Sequence, residues 1–93
     1  MLTAEARPRL APGVRIQRDQ ARDAWLVQAP ERLIYPDEVA MAVLALCDGE
    51  RTVRAVIEDA AREYGEAPAT VADDVRALLA ELEACGVLVD AGR

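Results

Sequence analysis

The segment from Ala45 to Val53 constrains the fold of this chain more than any other, because it ends one helix and begins the next. It reads ALCDGERTV. Gly49 is typical of the residue just beyond a helix C-terminus, where glycine adopts the left-handed conformation at little cost. The hydroxyl of Thr52 can accept a hydrogen bond from a free amide in the first turn of the second helix. We therefore predict two helices joined by a short turn, as in small winged-helix-like modules that bind partners.

The residues before this segment predict a small antiparallel sheet. Apolar and polar residues alternate from Val14 to Arg18 and from Ala24 to Ala29, as in half-buried strands, and the polar link between them favours a hairpin. Arg32 to Tyr35 is a third short strand with a proline close to each end, which suits the edge of a sheet. Residues 1–12 are predicted to form a flexible arm that precedes the folded domain.

Three amphipathic helices are predicted to follow the strands. Asp37 caps the first, and the third begins near Pro68–Thr70, where Thr70 and Asp73 form a capping-box-like pair. The apolar residues expected to face the core are Val39, Val43, Leu44, Leu46 and Cys47 in the first helix, Val53, Val56, Ile57, Ala60, Ala61 and Tyr64 in the second, and Val71, Val75, Leu78, Leu79 and Leu82 in the third. The predicted fold class is therefore α+β, a winged-helix-like domain over residues 13–90 in which a three-stranded antiparallel sheet precedes three helices (β-β-β-α-α-α).

Composition argues against catalysis and against nucleic-acid binding. The 93 residues carry a net charge of −6 and include neither histidine nor serine, so the commonest general base and a common nucleophile are missing. A negative chain repels phosphates and anionic membrane surfaces alike. The third helix, which would read DNA in a winged helix, carries Arg76 as its only basic residue. We expect neither an enzyme nor a partner of nucleic acid or membrane.

The two cysteines and the chain's hydropathy suggest a protein of the reducing cytoplasm. Cys47 and Cys85 each end an apolar helical stripe and are interpreted as small buried residues. A metal site would lack its third and fourth ligands, so we expect no metal and no cofactor. No signal peptide is visible, and no stretch is long and apolar enough to span a bilayer.

The predicted edge strand from Glu31 to Tyr35 suggests a site for an extended peptide. One side of an edge strand lacks backbone partners, and a foreign chain can add there as a further strand. The third helix, running past that edge, would form the other wall of a groove. Leu33, Ile34 and Tyr35 could instead belong to the core, although alternation places Ile34 on the opposite face from the other two. Two further functions stay open, a winged-helix regulator that binds DNA and a module that pairs with itself, and we expect a monomer or weak dimer.

The same residues resemble the PqqD family of small peptide-binding proteins in pyrroloquinoline quinone (PQQ) biosynthesis. The motif CDGxRTV, from Cys47 to Val53, is the most specific part of a resemblance that extends from roughly Pro12 to Leu88. The other matching residues are Pro30, Glu31, Leu33, Ile34, Glu38, Val39, Ala40, Leu44, Ile57, Tyr64, Asp74 and Val75. Ala55 departs from the pattern, since many relatives carry a glutamate there that would complete a capping box.

The resemblance implies a peptide chaperone that catalyses nothing. Members have a three-stranded sheet followed by three helices, and they bind the precursor peptide PqqA as an added strand beside the third strand, in a groove lined by the third helix. They present PqqA to PqqE, a radical S-adenosylmethionine enzyme that joins a glutamate and a tyrosine of the peptide through a carbon–carbon bond. The residues expected to contact the peptide in this chain are Arg32, Leu33, Ile34, Tyr35, Val75, Arg76 and Leu79. Arg76 is expected to meet an acidic side chain of the peptide.

Overall fold

Two small antiparallel sheets and three helices make up the computed structural model, which describes residues 2–92. The elements are β1 (Pro8–Leu10), β2 (Arg15–Asp19), β3 (Ala24–Ala29), β4 (Arg32–Ile34), α1 (Glu38–Leu46), α2 (Val53–Glu63), α3 (Pro68–Ala84) and β5 (Leu88–Asp90). The larger sheet has the order β2-β3-β4 and precedes the three helices, so the predicted α+β class is confirmed. Within the described range, no helix is both long and apolar enough to cross a membrane.

A second sheet is formed by β1 and β5, whereas a flexible arm was expected over residues 1–12. Met1 of that expected arm lies outside the described residues. Pro8 lies opposite Asp90, and Leu10 lies opposite Leu88. The carbonyl of Ala6 accepts a hydrogen bond of 2.8 Å from the amide of Val53 at the start of α2. The described part of this segment is therefore tied to both the C-terminal strand and a helix. A three-residue strand that begins with proline is too short to show the alternation from which strands are predicted.

The β2-β3-β4 sheet turns one face toward the helices and leaves the other exposed. Val27 lies opposite Ile16 on one side and Ile34 on the other, and all three contribute to the core or pack against it. On the outer face, Gln17 and Gln28 share a side-chain hydrogen bond of 2.7 Å. The sheet therefore contributes only one layer of apolar side chains to the core.

Helix caps explain where α1 and α2 begin, and a proline explains the start of α3. Asp37 Oδ1 accepts the amide of Ala40 at 2.8 Å, which confirms the predicted cap of α1. Thr52 Oγ1 accepts the amide of Ala55 at 3.1 Å and caps α2. The capping-box prediction for Thr70 is wrong, because α3 begins earlier, at Pro68, with no side-chain cap. Proline favours the first helical position because its φ is already helical and its missing amide hydrogen is not needed there.

Two residues predicted for the core are exposed instead, namely Val39 in α1 and Tyr64 after α2. Every α1 residue after Glu38 is apolar, so periodicity alone cannot identify its buried face. Tyr64 is the C-cap residue of α2, beyond the last residue of the helix, so the helical period no longer determines its direction. Both exposed side chains lie close to the site described below.

The turn between α1 and α2 is held by the carboxylate of Asp48. Asp48 Oδ1 accepts the amides of Glu50 and Arg51, each at 2.9 Å, and these bonds hold the pKa of Asp48 below its ordinary value. Arg51 also bridges to Asp48 at 2.7 Å and to Asp59 at 2.8 Å. Gly49 has a φ of +80° and lies against Arg9, where a Cβ atom would come within 3.3 Å of the Arg9 side chain. The turn thus needs both its aspartate and its glycine.

Asp48→Asn is expected to lower the Tm at neutral pH and to make the Tm less sensitive to acid. Because the pKa of Asp48 is lowered on folding, its carboxylate stabilises the fold above about pH 4, and this contribution is lost as the pH falls through the lowered value. Thermal melts followed by circular dichroism between about pH 7 and pH 2 would measure both effects. Glu66→Gln, at an exposed position, is the control. A variant whose Tm falls as steeply in acid as the wild type would contradict this role.

Candidate functional site

The outer edge of β4 is open among the described residues, since β4 pairs only with β3. Residues 30–31 form a two-residue hairpin loop, so the flanking pair Ala29 and Arg32 is a hydrogen-bonded one. Hydrogen bonding alternates along an antiparallel strand, which directs the backbone N–H and C=O of Leu33 away from β3, toward the open edge. The side chain of Leu33 is 58 % exposed. An extended chain therefore has both access and backbone partners at this edge.

A groove of about 480 Å³ lies between β4 and α3, as expected for a helix that runs past the edge strand. The β4 side is formed by Arg32 and Ile34, with Tyr35 just after the strand. The α3 side is formed by Asp74, Leu78, Glu81, Leu82 and Cys85. The first turn of α1, from Asp37 to Ala40, closes one end. The open edge, the helix wall and the closed end together leave space for a short extended segment.

The helix residues predicted to contact a peptide, Val75, Arg76 and Leu79, do not line this groove, and their contact with a peptide stays a prediction. Val75 and Leu79 are only 6 % and 1 % exposed and belong to the core. Arg76 lines a separate depression with residues of α2, on the opposite side of α3, and its Nη1 atom lies 3.8 Å from Asp73. The wall of the groove has the spacing i, i+4, i+7 and i+11, which places its residues on one helical face. These four residues are Asp74, Leu78, Glu81 and Cys85, and Leu82 lies beside them at the edge of the core.

The charges around the groove are mostly negative. Asp37, Asp74 and Glu81 line it, and Arg32 is the single basic residue among residues 2–92 that does so. Arg32 Nη1 donates to Cys85 Sγ at 3.4 Å, which connects the edge strand to the end of the helix wall. The groove is therefore electrostatically complementary to basic groups, whereas the sequence predicted an arginine that meets an acidic one.

Tyr35 fixes the end of the edge strand. Its hydroxyl donates to Asp19 Oδ2 at 2.9 Å, across the outer face of the sheet, and Arg22 lies 5.1 Å from its ring centroid. The hydrogen bond lowers the pKa of Asp19 and raises the pKa of Tyr35, since it favours the carboxylate and the protonated phenol. Tyr35 and Leu33 lie on one face and Ile34 on the other, as alternation predicted.

A known protein family matches the part of the chain that forms this edge and groove. The family model for coenzyme PQQ synthesis protein D (PqqD) matches residues 24–88, which include β3, β4 and all three helices. The chain belongs to the PqqD family. The resemblance predicted from the CDGxRTV motif is therefore confirmed.

Relatives and solved structures cover nearly the whole chain. A PqqA binding protein of Rhodopseudomonas palustris strain BisB5 is 38 % identical over 86 residues, covering 92 % of this chain and 84 % of the relative. One from Xanthomonas oryzae pv. oryzae strain PXO99A is 38 % identical over 82 residues, covering 88 % and 89 %. The solution structure of the PqqD truncation of Methylobacterium extorquens PqqCD superposes with a TM-score of 0.77 at 35 % identity, covering 96 % of this chain and 95 % of that one. That truncation is a functional stand-alone recognition element for ribosomally synthesised, post-translationally modified peptides. The crystal structure of PqqD from Xanthomonas campestris gives a TM-score of 0.52 at 31 % identity, covering 89 % and 92 %.

A thiol reagent is expected to modify Cys85 in the folded protein and to leave Cys47 unmodified. Burial, helped by the nearby charge of Asp48, raises the pKa of Cys47 to about 12, so its reactive thiolate is scarce. Cys85 is partly exposed at the groove. Mass spectrometry after a short iodoacetamide pulse would locate the adduct, and the same pulse in denaturant should modify both residues. Rapid native labelling of Cys47 would contradict the buried position.

Proposed function

We propose that this chain binds the precursor peptide PqqA in PQQ biosynthesis, as an extended strand added to the edge of β4, and presents it to the enzyme PqqE. The observation that carries this proposal is the open edge beside the groove, with the backbone of Leu33 directed outward. Relatives that share 38 % of their residues with this chain are PqqA binding proteins, and the M. extorquens relative is a peptide recognition element. The role is one of binding, and the chemistry belongs to the partner enzyme.

The energetics of strand addition suit this role. A micromolar complex requires about 8 kcal/mol. Backbone hydrogen bonds at the edge contribute roughly 0.5–1.5 kcal/mol each, and apolar side chains buried in the groove add about 25 cal/mol per Å². Holding a flexible precursor beside its enzyme then raises the effective concentration of the peptide at the active site. We further propose that the acidic groove wall at Asp74 and Glu81 selects the part of PqqA that carries basic side chains.

The proposal also fits a reducing cytoplasmic setting. Cys47 and Cys85 are both free thiols, and disulfides are rare where glutathione and thioredoxin keep thiols reduced. Cys85 then offers a second readout of binding, because a peptide in the groove would shield it from a thiol reagent while Cys47 remains buried.

Titration of ¹⁵N-labelled protein with PqqA, followed by nuclear magnetic resonance, tests the binding mode. Amide signals of residues 32–35 and of the groove wall at Asp74, Leu78 and Glu81 should shift, while that of Arg76 should not. Shifts confined to the outer edge of β2 or to the depression around Arg76 would refute strand addition at β4. Adding PqqE to the complex and measuring its retention with the labelled protein would test presentation separately.

Two parallel measurements distinguish the rival functions. A winged-helix regulator would retard duplex DNA at low salt, and we expect no retardation because α3 is acidic on its groove face. A module that pairs with itself through β4 would form a dimer that PqqA disrupts. Sedimentation at several concentrations, with and without PqqA, would reveal such a dimer.

A further inference from the structure

Four of the five large hydrophobic side chains that are exposed among the described residues line two adjoining depressions. They are Tyr35, Val39, Tyr64 and Trp25, exposed by 42 % to 53 %, and the fifth is Leu33 on β4. Tyr35 and Val39 line the groove together, and Val39 lines a further depression with Tyr64 and Trp25. An apolar surface that continues beyond a binding groove is a typical feature of an interaction site.

A small pocket opens beside these depressions, at the junction of the three helices. Its volume is about 120 Å³, which suits one aliphatic side chain. Apolar side chains from all three helices line it, together with Tyr64, and Asp74 is the one charged residue among the described lining residues. The lining residues that matter here are Val43, Tyr64, Val71 and Val75. An acidic side chain would lose its hydration in such a pocket and would also be repelled by the carboxylate of Asp74, whereas an aliphatic side chain would gain contacts with the apolar lining.

The pocket is continuous with the groove. Val39, Asp74 and Leu78 line both, so a chain that leaves the groove past Val39 reaches the pocket directly. An extended chain advances about 3.3 Å per residue, so the residues next to a strand paired with β4 are the ones within reach. Continuity favours the same peptide as the occupant over an independent partner.

We infer that this pocket is a second anchoring site for the peptide, which takes one apolar side chain from a PqqA residue outside the strand added to β4. The inference rests on the proposed function. It also accounts for the exposure of Val39 and Tyr64, which form the rim where a bound side chain would be covered. Strand addition then gives affinity through the backbone, and the pocket gives specificity for one apolar position.

Calorimetric titration of Tyr64→Ala with PqqA tests the pocket without touching the groove, because Tyr64 lines the pocket but not the β4 groove. We expect binding to weaken about five- to tenfold, as for partial loss of a buried apolar contact. Tyr64→Phe should bind like the wild type, and Arg76→Ala, on the far side of α3, is the matched control. Both substituted positions are exposed, so folding should be preserved.

Alanine substitutions in PqqA complete a double-mutant cycle. Replacing one apolar PqqA residue outside the strand with alanine should weaken binding to the wild-type protein. The same replacement should weaken binding to Tyr64→Ala much less. Valine methyl signals provide the structural readout: those of Val43, Val71 and Val75 should shift on binding. If the amides of Leu33–Tyr35 shift while these methyls and the affinity of Tyr64→Ala stay unchanged, the pocket is refuted and strand addition stands. If the β4 amides do not shift, the proposed function itself fails.

Discussion

Leu33→Pro is expected to abolish most PqqA binding while the domain stays folded. The amide of Leu33 points to the open edge, so proline removes a bond to the peptide and none to β3. Its ring also obstructs the approach of an added strand. Losing roughly 2 kcal/mol of backbone hydrogen bonds corresponds to about a thirtyfold weaker complex. Calorimetric titration with PqqA would measure the affinity, and circular dichroism would confirm the fold.

Two control variants accompany this substitution. The first distinguishes the contribution of the Leu33 backbone from that of its side chain, and the second distinguishes the edge of β4 from the edge of β2. Leu33→Ala keeps the outward amide and should weaken binding only modestly. Arg18→Pro places proline on the outer edge of β2, where alternation again directs the amide away from β3. It should fold and bind PqqA nearly as the wild type does. A folded Leu33→Pro variant with wild-type affinity would exclude strand addition at β4.

Leu78 and Leu79 are neighbours in α3, and replacing each with alanine is expected to affect different properties. Leu79 is 1 % exposed, so Leu79→Ala should lower the free energy of unfolding by about 3 kcal/mol. A domain of this size has only about 5–14 kcal/mol in total, so the loss is severe. Leu78 is partly exposed and lines the groove, so Leu78→Ala should cost about 1 kcal/mol of stability and weaken PqqA binding several-fold.

Urea denaturation and calorimetric titration, both well below the Tm, would establish this pair of effects. The temperature matters because peptide binding stabilises the folded state by mass action, so a largely unfolded variant would show a falsely weak affinity. Folded Leu79→Ala should bind PqqA like the wild type. If Leu79→Ala instead lost affinity without losing stability, the assignment of its side chain to the core would be wrong.

The sequence predicts the parts of this fold that depend on local chemistry. Asp37 and Thr52 cap their helices as predicted, because the side-chain oxygen and the free amide lie only three residues apart. The alternation of β3 and the proline-flanked strand β4 likewise follow from neighbouring residues. These same features locate the edge of the candidate site.

The helix wall of the site is less accessible to sequence analysis. The apolar stripe of α3 draws attention to Val75 and Leu79, but such a stripe identifies the face that is buried. The groove uses the adjacent face, where Asp74 and Glu81 look like ordinary solvated carboxylates. The pairing of β1 with β5 joins residues more than 70 positions apart, so no local pattern reveals it. Both features depend on tertiary packing.

The antiparallel pairing of β1 with β5 brings the beginning and the end of the described chain side by side. Neither strand contributes a residue to the groove or to the small pocket. A segment joined to either end would therefore continue from strands that take no part in the groove or in the small pocket. The M. extorquens relative, cut from a PqqCD chain yet functional by itself, fits such a modular design. Chain ends that lie close together are typical of domains that occur both alone and joined to another domain.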